Sequence, residues 1–359
     1  MRILFITHRY PPHTGGIETH VQEMATRLAN CGHDITVFSA DSGPNVSSEN
    51  TDDGIRIRRF RSFSPGNAFY AAPQMALAIR CADADIVHAH NYHALSLFFA
   101  ALGVTDEQFV VTTHYHGASA SGIRDKLLSL YKPLGRWAIR QADEVVAVSE
   151  WEHSRLQEDF GVNATVIPNG LDVERFAEAE PENRARPYLL CVGRLEEYKG
   201  IQHVIRALSE LPEYDLAVAG SGPHREELEQ IAHEEGVADR VDFLGFVDNE
   251  RLPGLYAGAD VYVTLSTFEA YGMTVAEALA AGTPCVVREA SALQDWTSES
   301  AVKGVSSTSP ETISSALREA LSQTPDSDIE TWSEIATSLA AQFQDHEKGN
   351  SDKDCVHTS

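Results

Sequence analysis

The stretch FEAYGMTVAEALAAGTP, Phe268 to Pro284, sets two carboxylates, Glu269 and Glu277, eight positions apart around a Tyr271-Gly272 pair. An apolar strand-like run gives way there to helical spacing, and Gly272 lets the chain turn, so a helix is predicted to start near Met273 or Thr274. The amides of a helix start favour phosphate, yet a bare carboxylate beside phosphate repels it. The conflict resolves if each acid accepts hydrogen bonds from hydroxyls while the amides between them face a diphosphate. Upstream, GRLEEYKG (Gly193 to Gly200) follows one strand-like run, and AGSGP (Ala219 to Pro223) another. Arg194 can fork onto phosphate oxygens and Lys199 can add a point charge, which together neutralise a diphosphate without a metal. Gly220 and Gly222 let the backbone approach a nucleotide closely. The plainer alternatives are that Arg194 and Lys199 pair with Glu196 and Glu197, and that Glu277 only complements a helix dipole. A diphosphate flanked by two hydroxylated rings is a nucleotide sugar.

Such groups need strands to hold them. Short apolar runs alternate with helical spacing along most of the chain: Ile3 to Ile6, Ile17 to Ala29 at helical period, Ile35 to Phe38, Asp85 to Ala89, Phe109 to Thr113 and Glu144 to Val148. A second series comprises Tyr188 to Val192, Tyr214 to Ala219, Val241 to Phe243, Val261 to Leu265 and Pro284 to Val287, with helices at Ile201 to Leu208 and His224 to His233. This βα alternation predicts an α/β fold of two Rossmann-like lobes facing a central cleft, with ligands beyond the carboxyl ends of the strands. The expected boundaries are 1–170 for the acceptor-side domain, 171–345 for the nucleotide-sugar domain and 346–359 for a disordered tail. The segment Asp328 to His346, with Trp332, Ile335, Leu339 and Phe343 at helical spacing, is expected to pack back across the lobes.

Composition narrows the setting. The 359 residues carry 53 acidic against 28 basic side chains, a formal charge of -25, which argues against nucleic-acid binding. Acid excess with only six lysines is what a halophilic protein carries, since high salt screens self-repulsion. Residues 1–168 hold 14 basic and 18 acidic side chains, and the remainder 14 and 35, so the deficit lies mainly in the second half. No leader-like segment and no apolar run of about 20 residues occurs, so a cytoplasmic protein is expected. Five scattered cysteines fit reduced thiols.

With these motifs in order, namely YPPHTGGIETHVQEMATRLANCGHDITVF, DIVHAH, VSEWEHSRL, VIPNGLD, GRLEEYKG, GSGP, VDFLG and EAYGMTVAEALAAGTP, the chain resembles the retaining GT-B glycosyltransferases of family four over residues 1 to 287. The resemblance implies that Glu269 contacts the donor sugar, Glu277 the ribose, and Arg194 and Lys199 the diphosphate. It implies that Gly15 and Gly16 bring an amide to the distal phosphate. It also puts a histidine of VVTTHYHG beside the transferred sugar: His114 by its T-x-H spacing, His116 by its His-Gly form, with His114 preferred. Transfer would proceed with retention through an oxocarbenium-like state, the leaving phosphate itself taking the acceptor's proton. No metal cofactor is expected. After Pro284 the chain reads CVVREASALQDW, where family members often carry a glycine pair and an acidic residue.

Asp83-Ala84-Asp85 matches a metal-binding D-x-D but opens a strand, the wrong end for a site. His88, His90, His93, His114 and His116 are read as cleft-lining or core histidines rather than zinc ligands, on the ground that His-x-His in a strand faces alternate sides. On the acceptor side, Ile123 to Gln141 gathers Arg124, Lys126, Lys132, Arg136 and Arg140 among Leu, Tyr and Trp, and Ile55 to Arg61 is also basic. These stretches are candidates to meet an anionic membrane surface or a lipid-linked acceptor, or simply to pack on their own lobe. The expected partners are therefore a nucleotide sugar, a glycan or lipid-linked acceptor and peripherally the cytoplasmic membrane face. The rival readings are a nucleotide-sugar epimerase or hydrolase on the same scaffold, and an inactive glycan-binding partner subunit.

Overall fold

A computed structural model describes residues 1–41, 48–64, 69–117, 122–326 and 328–354 of the chain. Its backbone divides into two compact units, one containing residues up to 170 together with those from Trp332 onward, the other residues 171–331.

The first unit runs β1 (Arg2–Thr7), α1 (Gly16–Asn30), β2 (Asp34–Ser39), β3 (Glu49–Asp52), β4 (Ile55–Arg59), α2 (Gln74–Arg80), β5 (Ile86–His90), α3 (Leu95–Gly103), β6 (Gln108–Thr112), α4 (Gly122–Ile139), β7 (Glu144–Ala147), α5 (Glu150–Phe160) and β8 (Thr165–Val166). The sheet order is β3-β4-β2-β1-β5-β6-β7-β8, parallel except that β3 lies antiparallel to β4. Ile3, Leu4, Phe5 and Ile6 are all buried, as a strand with helices on both faces requires. Each such side chain contributes about 2 kcal/mol of apolar burial. The strand order reverses between β1 and β5, where His8 and Asn91, each just past its strand, meet at 3.2 Å.

The second unit runs α6 (Val173–Ala177), β9 (Tyr188–Val192), α7 (Ile201–Ala207), β10 (Asp215–Ala219), α8 (Arg225–Glu234), β11 (Val241–Gly245), α9 (Leu252–Gly258), β12 (Val261–Thr264), α10 (Met273–Ala280), β13 (Cys285–Arg288), β14 (Val302–Val305) and α11 (Pro310–Ala320). Its sheet, β11-β10-β9-β12-β13-β14, is parallel throughout and reverses order between β9 and β12. The two Rossmann-like α/β folds expected from the alternation of apolar runs are both present.

Two expectations need correction. The last helix, α12 (Trp332–Asp354), belongs with the first unit, whereas the sequence boundary counts residues through 345 with the second. Its apolar side chains find their partners there: the Trp332 ring lies 5.8 Å from His20 on α1, and Phe343 is buried 5.8 Å from His88 on β5. The helix also continues to Asp354 instead of ending in disorder at 346, because the polar residues after Phe343 include good helix formers and no proline interrupts them; residues 355–359 lie outside the described part. The basic run Ile55 to Arg61 is largely strand β4, and three of its four arginines pair with acids. Arg56 pairs with Asp34 at 2.7 Å, Arg58 with Glu49 at 3.3 Å, and buried Arg59 with Asp41 at 3.8 Å.

Candidate functional site

The acidic pair of the opening motif lies at the reversal point of the second sheet. Lys199 follows β9 and Glu269 follows β12, and Lys199 Nζ donates to Glu269 Oε1 at 2.5 Å across the gap between these strand ends. Both are about one-fifth exposed. The Glu269 carboxylate raises the Lys199 pKa against the opposing effect of burial, so the ammonium is held charged. Arg194 is largely exposed and pairs with Glu196 at 2.7 Å, the plainer reading of the sequence, while Lys199 takes Glu269 rather than Glu197.

Glycine turns after β9 and β10 interlock beside this pair. A Cβ on Gly220, whose φ is +144°, would stand 1.8 Å from the Gly193 carbonyl oxygen, and one on Gly222 2.3 Å from that of Leu195. Gly220 N–H donates to the Gly245 carbonyl at 2.7 Å, which ties in the end of β11. The result is a floor of closely packed backbone, with the Lys199 side chain beside Gly193.

Gly272 has a left-handed φ of +99° and caps α10, so the helix opens at Met273 and Thr274 with its first-turn amides beyond the strand ends. Glu277, partly buried on that helix, accepts from Tyr256 Oη at 2.7 Å, and burial pushes its pKa up to about 7. The segment after Pro284, flagged only as a departure, supports this loop. Ser291 Oγ accepts from Glu269 N–H at 3.0 Å, Ala292 N–H donates to the Glu269 carbonyl at 3.2 Å, and Trp296 Nε1 donates to the Tyr271 carbonyl at 2.7 Å with the two rings 5.2 Å apart. Sequence reasoning passed over Ser291 and Trp296; only their nearness to the acidic motif could have signalled them.

In the first unit, Gly15 and Gly16 are exposed at the start of α1, Gly15 being its N-cap. The buried Glu18 carboxylate packs against Gly15 and pairs with Arg9 at 2.6 Å, so an acid stands beside the amides expected to face phosphate. His114 and His116 both lie in the turn after β6. His114 is buried with a left-handed φ of +46°, its ring 5.0 Å from His20 and 6.0 Å from His90; His116 stacks on His93 at 4.1 Å. His88 and His90 do not face opposite sides: two apart on β5, they share a face with rings 4.1 Å apart, as the two-residue repeat of a strand dictates.

Among the described residues, His20, His90 and His114 form the group close enough to share an ion, with ligand nitrogens within 4.8 Å of one another. Burial lowers all three pKa values, His20 to about 4, so the rings are neutral as metal ligands must be. Neither ring nitrogen of His90 has a hydrogen-bond partner, however, so the outer contact that fixes the tautomer of a metal-bound imidazole is missing there. Asp83 and Asp85, the D-x-D of the sequence, both pair with Arg2 at the amino end of β5.

The two units correspond to two families. Residues 14–175 match Glycosyltransferase Family 4, and residues 172–337 match Glycosyl transferases group 1. The chain is 30% identical over 321 residues to a glycogen synthase of Mycobacterium tuberculosis, covering 80% of this chain and 77% of that protein. It is 29% identical over 322 residues to a GDP-mannose-dependent alpha-(1-6)-phosphatidylinositol monomannoside mannosyltransferase of Mycolicibacterium smegmatis, covering 79% of each. In fold it matches a sucrose-phosphate synthase of Thermosynechococcus elongatus with a TM-score of 0.84 at 21% identity, over 97% of this chain and all of the other.

Proposed function

We propose, from the premise that this chain belongs to the glycosyl transferases of group 1, that it moves a sugar from a nucleotide-diphosphate donor, with retention, onto a hydroxyl of a glycan or lipid-linked acceptor. The observation that carries this reading is the Lys199–Glu269 pair at the reversal point of the second sheet. Lysine has three donors and spends one on Glu269, so the remainder serve phosphate while the fixed carboxylate accepts from a sugar's hydroxyls. Arg194, the glycine floor and the first-turn amides of α10 complete a cradle for a diphosphate, and Glu277 takes the ribose. These cations and amides stabilise the leaving charge where it develops, a role that in other enzymes falls to a metal ion. His114 lines the sugar, and the departing phosphate takes the acceptor's proton.

A lipid-linked acceptor is supported by α4. Leu130, Leu134 and Trp137, spaced four and three apart on that helix, are 77%, 45% and 39% exposed, with exposed Arg136 and Arg140 nearby. Lys132 is paired with Asp159 at 2.6 Å, and the side chains of Arg124 and Lys126 lie outside the described part. An apolar stripe edged by arginine suits peripheral attachment to the anionic cytoplasmic face of a membrane. Among the described residues no helix is long and apolar enough to cross one.

The test is nucleotide release from a panel of sugar donors, with and without candidate acceptors. Release that requires an acceptor supports transfer. Equal release without one assigns a hydrolase, and no release or donor binding at all defeats the reading.

A further inference from the structure

The first unit holds a buried carboxylate that the proposed transfer leaves unused. Glu152, in the first turn of α5, is wholly inaccessible to solvent. Its residue pattern, Ser149-x-x-Glu152, reads as a helix capping box, and Ser149 Oγ does accept from the Glu152 N–H at 3.1 Å. The carboxylate itself reaches further. Oε2 accepts from Val148 N–H at 2.6 Å at the end of β7, and Oε1 accepts from both Thr113 Oγ1 and Tyr115 N–H just past β6. The two residues held by that one oxygen flank His114, whose left-handed backbone is unfavourable for a residue with a β-carbon and persists only where its surroundings impose it. About two helical turns further along α5, Asp159 accepts from Tyr115 Oη at 2.9 Å, so the same helix grips the turn again.

We propose that Glu152 is a positioning residue of the transfer reaction: its carboxylate clamps Thr113 and Tyr115 and thereby fixes the turn that aims the His114 imidazole. This rests on the reading that His114 lines the sugar. Glutamine at 152 has the same shape but only one accepting atom, so it cannot serve the β6 turn and Val148 N–H together. Aspartate keeps the charge and shortens the reach.

The experiment is a double-mutant cycle of Glu152→Gln and His114→Ala on full-length protein, with kcat, donor KM and thermal unfolding measured for each variant. If Glu152 acts through His114, Glu152→Gln lowers kcat by about 10- to 100-fold with donor KM within about threefold, and adds nothing further once His114 is alanine. Thr113→Val, which removes one clamp donor and leaves the buried carboxylate in place, gives a smaller loss of the same kind. The NMR resonance of the His114 ring shifts in Glu152→Gln and returns toward the wild-type position in Glu152→Asp. Losses that add in the double variant, or an unmoved His114 resonance, overturn the proposal. A lowered melting temperature with unchanged kcat does so too. Should His114→Ala itself leave kcat intact, the sugar-lining role fails instead, and the resonance still reports whether the clamp holds the ring.

Discussion

Acidification should unfold the first unit well before the second. His8, His20, His88, His90 and His114 are all buried in it, and burial lowers every one of them, His8 and His88 to about 3 and His20 to about 4. In the unfolded chain the same side chains titrate near 6.5. Between the two values the unfolded state binds more protons than the folded one, so stability is full above about pH 6.5 and falls as the pH drops. At pH 5 each histidine that remains neutral costs about 2 kcal/mol, or about 6 kcal/mol for the three with stated values. Glu152 works the other way. Burial raises its pKa to about 7, so its folded form gains a proton first and returns about 2 kcal/mol over the same interval. The net loss of about 4 kcal/mol, to which His90 and His114 add in the same direction, is a large part of the 5–15 kcal/mol that holds a typical domain. Calorimetry from pH 7.5 to 5 reads it directly: one transition should move down steeply and the other far less. His88→Gln, which can keep the 2.8 Å bond to Thr112 Oγ1 but cannot titrate, should flatten that slope by about one histidine's share, about 2 kcal/mol. A first-unit transition that holds steady to pH 5, or a His88→Gln slope equal to wild type, would refute the reasoning.

Further outcomes are expected. Lys199→Ala should lower kcat/KM by about 100-fold and weaken a bare nucleoside diphosphate as well, whereas Glu269→Gln should spare the bare diphosphate and lose the sugar's contribution; calorimetric titration separates them. Gly220→Ala should destabilise the second unit by about 3 kcal/mol, seen as a fall in its melting temperature, because the new Cβ meets the Gly193 carbonyl in a backbone conformation alanine resists. Arg136→Glu with Arg140→Glu should reduce co-sedimentation with anionic vesicles, and undiminished pelleting would discard the membrane-facing role of α4. Chelator dialysis should leave transfer unchanged, and raising potassium chloride from 0.1 M to molar levels should raise both melting temperatures if the acidic surface is an adaptation to salt; loss of activity restored by a divalent ion, or melting indifferent to salt, would answer otherwise.

The central strands of both sheets were legible because each is a short apolar run buried on both faces. What the sequence left obscure lies at the margins. β4 hides behind arginines, since only alternate residues, Ile55, Ile57 and Arg59, turn inward. β8 has just two residues, too few for any pattern. At the candidate site, Glu269, Arg194 and Lys199 stood out as charges after strands and Glu277 as an acid on the helix that follows, but which acid Lys199 holds depends on β9 and β12 being neighbours, a fact of topology. Glu152 sits in the pattern of an ordinary helix cap, Ser149-x-x-Glu152, which gives no sign of a further role. Its reach to β6 and the convergence of His20 with His90 and His114 arise from segments far apart in the chain, and no local spacing encodes them.

The chain leaves the first unit at Gly170 and re-enters it at Trp332, and these crossings lie side by side: Leu171 and Thr331 form a β-bridge, with Leu171 N–H bonded to the Glu330 carbonyl at 3.0 Å. The second unit is thus a nested insert whose two ends already touch. Joined termini of this kind are the geometry in which one unit can be cut from a chain with a short graft at each end. Its host has no such freedom, for a stop codon at 332 would strip away a wall built partly from the final helix.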